Sequence, residues 1–186
     1  MPQIVTTAGA WSYTTPIAWP TGLTSYSIKM EARAEDNALA VNAATPGNIN
    51  VPATSGTDLM HFVIDDSSPT GSIVWPGALA PVSSATVKVT GSAADDSGGS
   101  GLLTTQIEIS TGTGASKSCW NGSVWSAAGC TSLWNTTTTA NPWYYTIPSA
   151  GLASGNLYYL RLQLTDTAGN IYTSQPSTFT YDTQGP

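Results

Sequence analysis

The chain has 186 residues with five Lys plus Arg against eleven Asp plus Glu, a net charge of -6, and only 9% charged residues, where an ordinary globular chain has roughly 25%. An acidic, charge-poor surface disfavours nucleic acid, whose phosphates need a basic partner. No apolar run approaches the roughly 20 residues that span a bilayer, and residues 1–15 lack the pattern of an export signal, so any signal or anchor is expected outside this sequence.

Thr, Ser, Gly, Asn and Pro take up the difference, and the apolar residues fall in short alternating pieces bounded by turn formers, which is an all-β composition. Residues 1–66 read as the C-terminal part of one β-sandwich repeat. Trp11 and Tyr13 sit in a strand-like AWSYTTP, and Gly22 and Leu23 precede an alternating run. In that run Tyr26, Ile28, Met30, Ala32 and Ala34 face one way, and Lys29, Glu31, Arg33 and Glu35 the other. Asp36, Asn37 and Ala38 end it, and after a polar loop residues 61–65 form a short strand.

Residues 67–186 read as a complete sandwich. Strands are expected at 71–75, at 84–93 with Ala85, Val87 and Val89 on one face, and along the alternation Leu103, Thr105, Ile107, Ile109. DDSGGSG at 95–101 is a loop, and 117–134 is a hairpin or a pair of short strands with Asn121 and Gly122 at its tip. Tyr158, Leu160, Leu162 and Leu164 alternate with Tyr159, Arg161, Gln163 and Thr165. A turn follows at 166–170, where Gly takes φ > 0 freely and Asp and Asn bond their own backbone, and 171–182 returns as the closing strand.

Residues 142–182 repeat the order of residues 1–66. Trp143, Gly151, Asp166 and Phe179 follow Trp11, Gly22, Asp36 and Phe62 at offsets of 132, 129, 130 and 117, and Tyr145, Leu152 and Asp182 fit the same series. Such self-similarity signals an array of modules. YYLRLQLTDTAGN at 158–170, FTYDTQGP at 179–186, FVIDDSSP at 62–69, GSAADDSGGSG at 91–101 and CWNGSVW at 119–125 resemble the bacterial immunoglobulin-like or fibronectin type III-like repeats of large secreted and surface proteins. The resemblance implies immunoglobulin-like β-sandwich repeats, one partial and one complete, at an extracellular or cell-surface location. In that pattern a Tyr stands eight residues before the turn Asp, as Tyr158 does before Asp166, whereas Tyr26 stands ten before Asp36.

No catalytic constellation emerges. His61 is the single histidine and lies in a strand, there is no Gly-x-Ser-x-Gly elbow or phosphate-binding Gly loop, and Glu31, Glu35 and Glu108 fall on strands and read as solvated faces. Cys119 and Cys130 come within disulfide range if the hairpin turns back, which implies an oxidising compartment; the alternative is two free buried thiols. Trp120, Trp125 and Trp134 either pack the hairpin or form an aromatic platform suited to sugar rings.

The topology of such a sandwich gathers Asp65, Asp66, Asp95, Asp96 and Asp166 at one pole, at the junction between the two units. Crowded carboxylates raise one another's pKa, and calcium, which takes six to eight oxygens, relieves the repulsion; the alternative is that each Asp caps its own turn. Three functions follow. The first is a non-catalytic spacer or stalk module of an adhesin-type protein, with neighbouring repeats of the same polypeptide as partners. The others are a carbohydrate-binding module using the Trp hairpin to hold a glycan or cell-surface ligand, and an accessory domain of a secreted hydrolase.

Overall fold

The computed structural model describes residues 16–18, 25–31, 59–138 and 141–184. The expectations for Trp11, Tyr13, Gly22, Leu23 and residues 32–38 lie outside the described residues. β1 (Ser25–Glu31) and β2 (Leu59–Asp65) pair as an antiparallel ribbon. Its register sets Tyr26 opposite Ile64, Ile28 opposite Phe62 and Met30 opposite Met60, so the alternation gives one face three apolar cross-strand pairs.

The rest comprises β3 (Thr70–Trp75), β4 (Ala80–Val82), β5 (Thr86–Ala94), β6 (Leu102–Thr111), β7 (Ser118–Cys119), β8 (Trp134–Thr136), β9 (Trp143–Pro148), β10 (Asn156–Asp166), β11 (Ile171–Thr173) and β12 (Ser177–Tyr181). One sheet runs β3-β5-β9. The other runs β4-β12-β10-β6-β7, with β11 on β10 and β8 on β6. Both sheets turn apolar residues into one core: Val87, Val89, Trp143 and Ile147 from the first, Ile107, Ile109, Leu160, Leu162, Leu164 and Phe179 from the second. This is a two-layer all-β sandwich. Trp143 is fully buried and donates its indole N–H to the Ser92 carbonyl at 3.0 Å, and the Tyr158 hydroxyl accepts the Ala153 N–H at 2.8 Å.

Four features differ from the sequence reading. Leu103 is 56% exposed, because the ladder shifts between Thr165 and Asp166 and sets Leu102, not Leu103, against the core. The closing strand is split into β11 and β12 around Pro176, which has no N–H to continue a ladder. β4, unforeseen, pairs parallel with β12.

Glu108 is the fourth: it is not a solvated strand residue but only 1% exposed. It sits in the ladder between Trp134 and Arg161, whose side chains approach each other across it with the guanidinium carbon 5.3 Å from the indole ring centre. Arg161 and Lys117 reach its carboxylate at 2.6 and 2.7 Å. Burial pushes the Glu108 carboxyl up, the two cations outweigh that, and it titrates below its ordinary value.

Phe62 faces Ile28 as Phe179 faces Tyr158. Ile28 rather than Tyr26 therefore stands in the place of Tyr158, at the same offset of 130 that relates Asp36 to Asp166.

Candidate cation site at the junction pole

Three segments converge at one end of the sandwich: the end of β2, the 95–101 loop after β5, and the 166–170 turn after β10. Asp166 is fully buried and shapes its own turn. Its Oδ1 accepts the N–H groups of Gly169 and Asn170 at 2.7 and 2.8 Å, and its Oδ2 accepts the Asn170 side-chain amide at 2.9 Å. The same amide donates to the Asp65 carbonyl at 3.1 Å, tying the turn to the end of β2. Thr167 N–H donates to the Gly101 carbonyl at 2.8 Å and Ala168 N–H to Ser100 Oγ at 3.0 Å, which joins the two loops.

Asp65 Oδ2 accepts the Ser100 N–H at 2.7 Å and its Oδ1 the Ser67 N–H at 3.1 Å. The Ser100 amide, more than any other contact, holds the Asp65 carboxyl below its ordinary value against the opposing effect of burial, so amide donors prevail where crowding was expected to raise it. Asp95 Oδ2 accepts the Gly101 N–H, and Asp96 Oδ2 accepts the Ser25 hydroxyl, each at 2.6 Å. The other oxygen of each, Asp95 Oδ1 and Asp96 Oδ1, is buried with no hydrogen-bond partner.

Carboxylate oxygens of Asp65, Asp95 and Asp166 lie within 4.8 Å of one another. Asp96 flanks them; Asp66, following Asp65 where successive side chains point to opposite sides, is exposed and stands outside the group. A Cβ at Gly99 would lie 2.6 Å from Asp96 Oδ1, 2.8 Å from Asp95 Oδ2 and 3.1 Å from Asp65 Oδ2. Three carboxylates thus crowd the Gly99 Cα, where a side chain would collide with them. None of the ion pairs among the described residues involves these aspartates. The converging carboxylates of Asp65, Asp95 and Asp166, with the buried unpaired oxygens Asp95 Oδ1 and Asp96 Oδ1, make a donor set suited to a hard divalent cation.

The hairpin holds a disulfide between Cys119 and Cys130, with Cα atoms 6.0 Å apart, so the free-thiol alternative falls. Gly122, with φ of +95°, makes its tip, where Asn121 Oδ1 accepts the N–H groups of Ser123 and Val124 at 3.0 and 2.9 Å. Of its tryptophans, Trp120 and Trp125 line one groove and Trp134 does not. Trp120 is buried in the core, Trp125 is half-buried between Trp120 and Tyr158 at ring-centre distances of 5.5 and 5.6 Å, and Trp134 lies against Arg161. That groove runs beside Trp120 and Trp125, with Val124, Pro148 and Gly151 on its walls. His61 is exposed on β2, opposite Lys29.

Sequence reasoning missed Ser25, Gly99 and Ser100, and took Asn170 as a turn former only. Their roles depend on which distant loops meet, and a Gly- and Ser-rich stretch signals a loop without saying what it wraps. No protein-family profile matches the chain, and comparison with curated proteins finds no relative.

Proposed function

We propose that this chain is a non-catalytic extracellular spacer. It is an immunoglobulin-like or fibronectin type III-like sandwich preceded by the closing strands of a like unit, and it serves as a stalk segment of an adhesin-type surface or secreted protein. The observation that carries the reading is the junction. Asp65 and Ser25, from the ribbon, bond directly to Ser100 and Asp96 in the loop of the sandwich, where two acidic oxygens remain unpaired. Asp65, Asp95, Asp96 and Asp166 would hold calcium, with carbonyls and water completing its shell. Bound there, the ion supplies the positive charge that these carboxylates lack, and links the ribbon to the sandwich through ligands from both. The disulfide supports an oxidising, extracellular setting.

The glycan-binding alternative keeps the groove lined by Trp120 and Trp125 in its favour, whereas Trp134 lies against Arg161. Small-angle X-ray scattering of the full chain in millimolar calcium and in chelator tests the spacer reading. Calcium should narrow the distribution of dimensions as the junction stiffens; superimposable curves would count against a cation-stiffened spacer.

A further inference from the structure

The far end of the sandwich repeats the chemistry that the ribbon brings to the near end. Asp182 follows β12 as Asp65 closes β2, at the offset of 117 that relates Phe62 to Phe179. Each aspartate makes the same local turn: Asp65 Oδ1 accepts the N–H of Ser67 at 3.1 Å, and Asp182 Oδ1 accepts that of Gln184 at 2.9 Å. Each is followed four residues later by proline, Pro69 and Pro186. The serine that reaches Asp96 has its counterpart too, since GLTS at 22–25 matches GLAS at 151–154. Ser154 Oγ donates to Asp182 Oδ1 at 3.2 Å, and Ser25 stands opposite Asp65 in the ribbon ladder.

The two ends differ in what these groups bond: Ser154 Oγ accepts the Thr183 N–H at 2.9 Å and donates its own hydroxyl to Asp182. Asp65 Oδ2 is engaged by the Ser100 amide of the following loop, and Ser25 by Asp96. Asp182 is exposed, and its Oδ2 makes no hydrogen bond among the described residues.

We propose that Asp182 and Ser154 are the docking pole for a following sandwich. Its partner is a module that carries an acidic, glycine-rich loop of the 95–101 kind. Asp182 Oδ2 accepts the loop amide equivalent to that of Ser100, and Ser154 redirects its hydroxyl from Asp182 Oδ1 to the carboxylate equivalent to Asp96. The proposal rests on the spacer reading and deepens it, because the docked example lies in the same chain.

The test extends the full chain by a second copy of its residues 70–186, joined after Pro186. The linker after Asp182 then has the same length as that after Asp65. Hydrogen exchange of the Ser100 amide is followed in both copies, in calcium and in chelator. Both amides should be protected. Asp182→Asn should speed exchange in the appended copy about fivefold or more and leave the first copy unchanged, because a neutral acceptor binds an N–H less strongly than a carboxylate. Asn still accepts the Gln184 N–H, so the turn and the fold are kept. Asp65→Asn should do the converse.

An appended amide that is unprotected, or protected equally with Asp182→Asn, overturns the docking role of Asp182. If Asp65→Asn is effective in the same chain, the spacer reading survives that failure. Failure of Asp65→Asn in the first copy would sink the junction itself.

Discussion

Glu108 carries the most constrained charge in the sandwich, and it was legible only as a polar position on an alternating strand. Nothing in its neighbours along the chain says that Trp134 and Arg161 close over it, so burial was invisible until the strand order was known. Its carboxyl titrates low, so its stabilising effect is present above about 4.5, the ordinary value, and is lost as pH falls through the lower folded value. Glu108→Gln should cost about 3 kcal/mol at pH 7, near the low end for a broken buried pair because Lys117 and Arg161 keep access to water. It should also flatten the acid limb of stability against pH. Urea unfolding at pH 7 and pH 3 measures both, and an unchanged acid slope would show that Glu108 does not set it. Asp65, also held low, contributes with the same sign. Gly99 makes a second residue-scale case. A Cβ there meets the ends of carboxylate side chains, which can swing aside in chelator but not while they hold an ion. Gly99→Ala should therefore melt close to the parent in chelator and lose most of the calcium response. An equal loss in both conditions would assign the glycine to the loop backbone alone.

Among the elements, β5 and β10 were readable because period-2 alternation of Val and Leu with polar residues needs no knowledge of the partner strand. β4, the split between β11 and β12, and the exchange of Leu103 for Leu102 were not readable, since each is decided by pairing across the sheet. The 117–134 segment was legible as a disulfide-closed hairpin, but its tryptophans were not separable into core and surface. Reducing Cys119–Cys130, which spans 11 residues, should cost about 2 to 3 kcal/mol by restoring loop entropy to the unfolded chain. Thermal melts with and without a phosphine reductant check this, and equal midpoints would contradict it. The ribbon of β1 and β2 is the weakest element. Among the described residues its apolar face contributes nothing to the buried core cluster, which is drawn from residues between Val82 and Tyr181, and a two-stranded ribbon by itself is marginal in water. Residues 67–186 alone should unfold cooperatively in urea, and residues 1–66 alone should show no transition. A cooperative transition in the shorter piece would move the domain boundary.

At the scale of the whole molecule, the end of the β1–β2 ribbon meets two loops of the sandwich at an acidic pole. The sequence pointed to that pole through the repeat and the topology of a sandwich, and Asp65, Asp95 and Asp166 do converge; Asp66 does not, because the side on which a residue leaves the end of a strand was not readable. What the pole does depends on whether its carboxylates form turns only or also hold an ion, and the two unpaired buried oxygens favour the ion. Thermal unfolding of the full chain in millimolar calcium and in chelator, repeated with Asp95→Asn and Asp96→Asn together, tests this most directly. A cation that binds only the folded junction adds about 2.7 kcal/mol at a hundredfold excess over Kd. The parent's midpoint should rise in calcium and that of the double variant should stay where it is, whereas a parent midpoint unmoved by calcium would reduce these aspartates to turn formers and contradict the cation-stiffened spacer.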